Sequence, residues 1–343
     1  MKDDGVEQAR RLTAVVVTFN RLEKLQATVL HLLESPPDDL ERLVVVDNAS
    51  NDGTGNWLAG LDDPRLEVLS MAQNLGGAGG FEAGMRHAVA RFDPDWLVLM
   101  DDDGRPAPGA LAAFQGADLS GWDAVAAAVY FPDGRICEMN RPSRNPFWHR
   151  DVLRATFLGV LRGRGRSGFH LAPSAYAEAA QQVDVASFVG LFLSRAAIQR
   201  AGYPDGSLFV YGEDGLYTLR LSGQGGRIGF LPAIRFEHDC STLAGDHRFR
   251  PLWKVYYYHR NLLFLYRASA GAMFWPALFV VLPKWVLKAR HHRGERIRFL
   301  RLIGLAVAHG LRRRTGVDHT RILRLSEGAN NAGSETKRGS DTA

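Results

Sequence analysis

Short apolar runs alternate with amphipathic segments along the first hundred residues of the chain. The segment 22–33 has apolar side chains at helical spacing, and a second helical segment covers 81–91. Runs rich in branched residues predict strands at 12–18, 42–46, 65–69 and 96–100. Strands that alternate with helices predict an α/β fold, with a mostly parallel sheet and helices on both faces.

The pattern becomes mixed after residue 121. Further strands are predicted at 124–131 and 227–231, a strand or pair of strands at 183–194, and a short helix at 195–201. The stretch 141–176 is irregular and rich in Arg, Gly and Pro, which favours a mobile loop region. We therefore expect an α/β domain over 1–250, a helical region over 251–325 and a disordered tail over 326–343.

The helical region combines an uncharged segment with a basic one. Residues 268–283 carry no charge, but Pro276 interrupts them, and a membrane-spanning helix needs about 20 residues. Residues 284–314 carry basic side chains against the single acid Glu295, and aromatic residues flank the uncharged segment. This combination favours peripheral association with an anionic membrane surface; the alternative is a packed helix with a solvated basic face. No recognition module accompanies the basic residues, so no nucleic-acid partner is expected.

Composition indicates the cellular compartment of the protein and says little about its fold. The formal net charge is +5, and the two cysteines provide no disulfide framework, which favours a reducing compartment. Residues 1–11 are polar and lack the apolar core of a signal peptide, so secretion is not expected.

The strongest chemical signal is the acidic triplet Asp101, Asp102 and Asp103 at the end of the predicted strand 96–100. Adjacent carboxylates repel one another, and oxygen ligands of this kind suit Mg²⁺ or Mn²⁺. The alternative is an acidic turn or helix cap. Thr18, Asp47 and Asn48 also lie at predicted strand ends, and ligands bind at the carboxyl ends of parallel strands.

Three more features are candidates for chemistry. The segment 74–81 contains four glycines within five residues, which suits either an anion-binding helix start or a flexible connector. Glu213 and Asp214 can cap a helix or act as a general base beside a phosphate. His238 is either a structural histidine or the nitrogen ligand of a mixed Asp/His metal site.

Taken in order, five elements resemble inverting glycosyltransferases of the GT-A fold. These are Val-Val-Val-Thr-Phe-Asn-Arg (15–21), Val-Val-Asp-Asn-Ala-Ser (45–50), Asn-Leu-Gly-Gly-Ala-Gly-Gly-Phe (74–81), Asp-Asp-Asp-Gly (101–104), and the downstream Glu-Asp and His. The resemblance covers about residues 12–265. The glycine-rich element and the triplet look most like bacterial galactofuranosyltransferases, and related rhamnosyltransferases share the same frame.

The resemblance also implies roles for single residues. Asp214 would be the catalytic base, with Glu213 orienting the acceptor, and Asp101, Asp103 and His238 would hold Mn²⁺ or Mg²⁺. The residues implied to bind the nucleotide sugar are Thr18, Arg21, Asp47, Asn74, Gly76, Gly77, Asp101 and Asp102. Residues 257–261 resemble a Tyr-Tyr-x-Arg-Asn element of relatives, whose role is left open.

The implied enzyme is a metal-dependent inverting glycosyltransferase that moves galactofuranose from UDP-galactofuranose to a hydroxyl of a lipid-linked glycan acceptor. It would be peripheral to the cytoplasmic face of the bacterial inner membrane and serve cell-wall or surface polysaccharide synthesis. The alternatives are a rhamnosyltransferase using dTDP-rhamnose, a nucleotidyltransferase, and a non-catalytic sugar-nucleotide-binding protein.

Overall fold

A computed structural model describes residues 9–161, 168–240 and 248–327 of the chain. Its contacts divide the chain into two compact units, Met1–Thr242 and Leu243–Ala343. Residues 328–343 lie outside the described part, so the structure does not bear on most of the tail that we expect to be disordered.

The first unit is built on one mixed sheet. Its strand order is β3-β2-β1-β4-β8-β6-β9-β5, with β7 paired to β9. The strands β8, β5 and β7 run antiparallel to their neighbours, and the remaining pairs are parallel. The strand bounds are β1 Leu12–Thr18, β2 Arg42–Asp47, β3 Leu66–Ser70, β4 Trp96–Asp101, β5 Gly104–Pro106, β6 Ala124–Tyr130, β7 Gln181–Val183, β8 Leu191–Ser194 and β9 Ile228–His238.

Helices cover both faces of this sheet, as the sequence pattern predicts. The helix bounds are α1 Leu22–Leu33, α2 Thr54–Ala59, α3 Gly76–Phe92, α4 Ala110–Gln115, α5 Arg150–Leu161, α6 Arg195–Ala201 and α7 Glu213–Gly223. Side chains alternate between the faces along a strand, so Val15 and Val17 pack with α3, α6 and α7, whereas Val16 packs with α1, α2 and α4. The sheet therefore separates two apolar cores and leaves its strand ends for polar residues.

Three predictions from the sequence pattern were wrong in detail. The helix expected at 81–91 begins at Gly76. A Cβ at Gly80 would lie 2.5 Å from Val17 Cγ1, so the missing side chain lets this part of the helix lie against β1. The stretch 141–176 contains α5 rather than only loop. The strand predicted at 227–231 is longer than expected, because β9 extends seven residues past Leu231 to His238. The strand or pair of strands expected at 183–194 corresponds to the end of β7 and to β8.

The second unit is helical, with α8 Lys254–Ala270, α9 Phe274–Leu287, α10 Arg296–Leu311 and α11 His319–Ser326. Pro276 does not interrupt α9, because it lies in the first turn, where a missing N–H leaves no helical hydrogen bond unmade. Within the described residues, Lys254–His291 is one stretch that is long and apolar enough to cross a membrane by length and composition alone. Gly271, with φ of 52°, ends α8 inside that stretch.

The Tyr-Tyr-x-Arg-Asn element lies inside this second unit. Arg260 is fully buried on α8, with its guanidinium 5.3 Å from the ring centre of Tyr256 and 5.1 Å from that of Tyr257. Its Nε donates to Asn261 and its Nη1 to the carbonyl of Thr315. The element therefore packs the helices of this unit together.

Candidate active site

The sheet register brings the predicted strand-end residues to one edge. Thr18 pairs with Asp47 across β1 and β2, and Val17 pairs with Asp101 across β1 and β4. At the far end of the strand order, β5 and β9 pair so that Gly104 faces His238. Residues that are far apart in the sequence thus meet at the carboxyl ends of the parallel strands.

Asp102 anchors the loop after β4 to the first strand and helix. Its carboxylate accepts from Thr18 Oγ1 at 2.8 Å and from Arg21 Nη1 at 2.8 Å, and its backbone carbonyl accepts from Thr28 Oγ1 at 2.7 Å. Burial raises the pKa of Asp102 to about 7, although Arg21 and Thr18 act in the opposite direction. Both carboxylate oxygens are already bound within the protein, so these contacts hold the triplet in place.

Arg21 also reaches the third aspartate. Its Nη2 donates to Asp103 Oδ2 at 2.7 Å, so one guanidinium bridges Asp102 and Asp103. Arg21 was expected near the nucleotide, and in the structure its head group lies against the acids. Its side chain is still 40% exposed, so it neutralises the triplet from the solvent side.

Asp101, Asp103 and His238 present one ligand atom each within 4.8 Å of one another. His238 Nε2 lies 3.2 Å from Asp103 Oδ1. Burial and the neighbouring Asp103 raise the pKa of Asp101 to about 6. Burial also opposes ionisation of Asp103, but His238 and Arg21 outweigh it and lower its pKa. Two carboxylates and one imidazole fit the donor preferences of Mn²⁺ and Mg²⁺, so the residues present suit the expected metal.

A buried amide sets the orientation of the His238 ring. Asn140 Oδ1 lies 2.7 Å from His238 Nδ1 and accepts from Cys137 Sγ at 2.9 Å, while Asn140 Nδ2 donates to Ser187 Oγ at 2.9 Å. An Nδ1–H that donates to Asn140 leaves Nε2 facing Asp103 as the ligand atom. Burial lowers the pKa of His238, but hydrogen bonds to Asp103 and Cys137 outweigh it and raise the pKa to about 10.

Glu213 and Asp214 begin α7 after a strained loop. Phe209 has φ of 69° and ψ of −63°, and Val210 N donates to Leu208 O at 2.9 Å, which makes a γ-turn of the rare positive-φ type. Tyr211 also has a positive φ of 71°. Strain of this kind is concentrated at functional sites, where the surrounding structure holds it in place.

The strained loop is held by the start of α3. The carbonyl of Phe209 accepts from Ala78 N at 3.1 Å, and a Cβ at Gly76 would lie 2.0 Å from that carbonyl oxygen. Gly76 has φ of 72°, so both the contact and the backbone require glycine. Gly77 faces the acidic pair, because its Cβ would lie 3.5 Å from Glu213 Oε1. The glycine-rich segment is therefore an ordered helix start rather than a connector.

The two acids of α7 differ in electrostatics. Burial raises the pKa of Asp214, and burial together with the Asp214 charge raises that of Glu213 well above its usual value. Among the described residues, Glu213 Oε2 is buried without a hydrogen-bond partner, whereas Asp214 Oδ1 accepts from Gly215 N at 2.6 Å. Protonation is therefore favoured at Glu213 over Asp214, because the Asp214 charge adds to the effect of burial at Glu213. The charge of Asp214 also raises the pKa of Asp101, which links this pair electrostatically to the aspartate triplet.

Asn48 is a positioning residue, for which the sequence predicted a place at a strand end but no role. It is buried at the end of β2, where its Nδ2 donates to Gly76 O at 2.9 Å and to Asn74 Oδ1 at 3.1 Å, and its Oδ1 accepts from Leu75 N at 2.9 Å. Asn74 Oδ1 accepts from Gly76 N at 2.7 Å. Asp47 beside it accepts from Ser50 N at 2.9 Å. Asn48 thus joins the end of β2 to Asn74 and Gly76, two of the residues expected to bind the nucleotide sugar.

Comparison with known proteins places this site in a family. Residues 13–167 match the model of glycosyl transferase family 2. The chain is 33% identical over 232 residues to galactofuranosyltransferase GlfT1 of Mycolicibacterium smegmatis, an alignment that covers 67% of this chain and 71% of that protein. It is 36% identical over 156 residues to an undecaprenyl-phosphate mannosyltransferase of Micrococcus luteus, covering 44% and 61% of the two chains.

The fold has solved relatives as well. The crystal structure of GalNAc-T7 with UDP, GalNAc and Mn²⁺ superposes with a TM-score of 0.51 at 15% identity, over 68% of this chain and 43% of that one. The expected GT-A fold is confirmed. The chain belongs to glycosyltransferase family 2 and is a glycosyltransferase. Its similarity to GlfT1 makes it galactofuranosyltransferase-like within that family.

Proposed function

We propose that this protein is a metal-dependent, inverting galactofuranosyltransferase that uses UDP-galactofuranose and a lipid-linked glycan acceptor. The observation that carries the proposal is the meeting of Asp101, Asp103 and His238 at the sheet edge where Asp214 also acts electrostatically. The similarity to GlfT1 favours galactofuranose as the sugar, and that to the undecaprenyl-phosphate enzyme favours a lipid carrier.

In this proposal, different residues of the chain bind the nucleotide-sugar donor and activate the acceptor hydroxyl. Asp101, Asp103 and His238 would hold Mn²⁺ or Mg²⁺, which supplies Lewis-acid stabilisation of the departing diphosphate. Asp47 and Thr18 lie at the adjacent strand ends, where the nucleoside would bind. Asp214, half-buried at the start of α7, accepts the proton of the acceptor hydroxyl as the general base. Glu213, protonated, donates to the acceptor and orients it for attack from the face opposite the leaving group.

The decisive experiment supplies purified protein with a panel of nucleotide sugars, Mn²⁺ and a lipid-linked acceptor. We expect release of UDP from UDP-galactofuranose, and a fall of about 10²–10⁴-fold in turnover for Asp214→Asn with donor affinity nearly unchanged. Asp118→Asn, which removes the charge of an exposed turn residue, is the matched control. Preference for dTDP-rhamnose, release of pyrophosphate, or full activity of Asp214→Asn would each reject this reading.

We further propose that α9 holds the protein at an anionic membrane surface on the cytoplasmic side. Trp275, Phe279 and Leu287 are 60%, 83% and 62% exposed, and Lys284 and Lys288 accompany them. The helix has 14 residues, about 21 Å, which is shorter than a hydrocarbon core of about 30 Å. An amphipathic position in the interface therefore fits this helix better than a span.

Vesicle co-sedimentation tests this attachment. Wild-type protein should sediment with vesicles of anionic lipid and less with neutral ones, and Phe279→Ser should weaken the anionic binding several-fold. Leu30→Ser, at another exposed apolar position on α1, is the matched control and should bind as the wild type does. Equal sedimentation of Phe279→Ser and wild type would contradict a docking role for α9.

A further inference from the structure

Both cysteines of the sequence lie beside the metal-ligand histidine. Cys137 Sγ is 3.8 Å from His238 Nδ1, and Cys137, His238 and Cys240 each present a ligand atom within 4.8 Å of the others. Cys137 follows β6 and is fully buried, whereas Cys240 lies two residues beyond the end of β9 and is partly exposed. The thioether of Met139 lies 3.4 Å from Cys240 Sγ. The mechanism proposed above uses none of these sulfur atoms.

The spacing of these atoms matches a metal site. In a tetrahedral zinc site with bonds of about 2.3 Å to sulfur and 2.0–2.1 Å to nitrogen, a sulfur and a nitrogen ligand are about 3.6 Å apart. The separation of Cys137 Sγ from His238 Nδ1 is 3.8 Å, within a small side-chain adjustment of that value. Two thiolates and an imidazole select soft or borderline cations, whereas the carboxylates across the ring select hard ones.

We propose that Cys137, His238 and Cys240 form a second metal site, for a thiophilic divalent cation of the zinc type, that shares the His238 ring with the aspartate site. On binding, each of the two thiols releases its proton to solvent, the His238 ring releases the proton on Nδ1, and the two thiolates neutralise the cation. Cys137 then gives up its hydrogen bond to Asn140. The Nδ1 lone pair points to the thiophilic cation, and Nε2 keeps its proton and donates to Asp103 Oδ1, 3.2 Å away.

The shared ring makes the two sites antagonistic. A neutral imidazole has one lone pair, so Nδ1 and Nε2 do not both bind cations without loss of the ring proton. With Nδ1–H donating to Asn140, Nε2 serves the aspartate site. With Nδ1 bound to a thiophilic cation, the aspartate site loses its nitrogen ligand. A cation of the zinc type therefore weakens Mn²⁺ binding without touching either aspartate.

Cadmium titration of the reduced, metal-free full chain tests the site directly, because cadmium–thiolate bonds give a charge-transfer absorbance. Wild-type protein should show this absorbance with one equivalent of Cd²⁺. Cys240→Ser and Cys137→Ser, each tested alone, should lower the Cd²⁺ affinity at least 100-fold. Asp103→Asn removes a carboxylate of the hard site but keeps an Oδ1 acceptor for Nε2–H, so it should keep the absorbance and most of the Cd²⁺ affinity. Equal Cd²⁺ affinity in the cysteine variants, or binding only at millimolar Cd²⁺, would overturn the proposal.

Electron paramagnetic resonance of free Mn²⁺ tests the shared ring. Saturating Cd²⁺ should raise the Mn²⁺ Kd at least 10-fold in the wild type and leave it unchanged in Cys240→Ser. An unchanged Mn²⁺ Kd in the wild type would refute the sharing of His238. Neither measurement uses a sugar donor, so failure of the proposed transfer reaction leaves this test intact. A protein that binds no Mn²⁺ would contradict the proposed metal dependence, while the cadmium absorbance would still decide the thiolate site.

Discussion

Replacing Asn140 by Leu should weaken metal binding although Asn140 does not contact the metal. Leu has a similar volume but no acceptor, so His238 Nδ1–H and Cys137 S–H lose the oxygen that lies 2.7 and 2.9 Å away. Loss of such an outer partner of a metal-binding histidine costs about 10–100-fold in affinity, or about 1.4–2.7 kcal/mol. An unsatisfied buried donor adds about 1–3 kcal/mol of lost stability.

The measurement is Mn²⁺ affinity by electron paramagnetic resonance, alongside urea unfolding of the metal-free protein. Asn140→Asp keeps an acceptor at the same place and should restore most of the Mn²⁺ affinity. Ser187→Ala removes the hydrogen bond on the far side of Asn140 and should change the affinity less than threefold. If Asn140→Leu binds Mn²⁺ as the wild type does while remaining folded, the ring of His238 is oriented by other contacts and the reasoning fails.

Three further predictions concern charge, packing and pH. Arg21→Met should destabilise the metal-free protein by about 2 kcal/mol yet tighten Mn²⁺ binding, because it removes the cation that pairs with Asp102 and Asp103; weaker Mn²⁺ binding would contradict this. Gly76→Ala should lower the free energy of unfolding in urea by about 3 kcal/mol, because the new Cβ would clash with Phe209 O. Gly109 also has a positive φ, but no described atom lies within 4 Å of a Cβ built there, so Gly109→Ala should lower it by about 1 kcal/mol. Burial lowers the pKa of His259 to about 3, so below pH 6.5 the unfolded state binds more protons than the folded state. The free energy of unfolding should therefore fall by up to about 1.4 kcal/mol per pH unit as the pH drops, and His259→Phe should reduce this slope.

The regular parts of the fold were predictable because their patterns are local. The predicted strand 12–18 and helix 22–33 agree with β1 and α1 to the residue, since branched runs and helical spacing of leucines favour one structure each. The start of α3 was not predictable in the same way. Glycine disfavours a helix on its own, and the reasons for glycine here, the contact of Gly76 with Phe209 and the close approach of Gly80 to Val17, are visible only in the structure.

The residues of the candidate site also differ in whether the sequence could predict them. Asp101, Asp103 and His238 could be selected from the sequence, because ionisable side chains at the ends of apolar strands are typical of functional sites. Their metal-binding role stays a prediction. Asn140 gave no comparable signal and Asn48 only its place at a strand end, because an amide becomes informative only when its buried partners are known. The strain at Phe209 was also invisible, because a single phenylalanine in a sequence does not reveal a positive φ.

The pairing of Gly104 with His238 has a consequence for the chain as a whole. A cation held by Asp103 and His238 joins residues 135 positions apart and ties the loop after β4 to the last strand of the sheet. It acts as a reversible cross-link, restricting the open chain in the way that a covalent bridge does in a secreted protein. In a compartment where Cys137 and Cys240 stay reduced, the metal supply would then govern how often this edge of the sheet opens. Amide exchange in β5 would slow as Mn²⁺ is added.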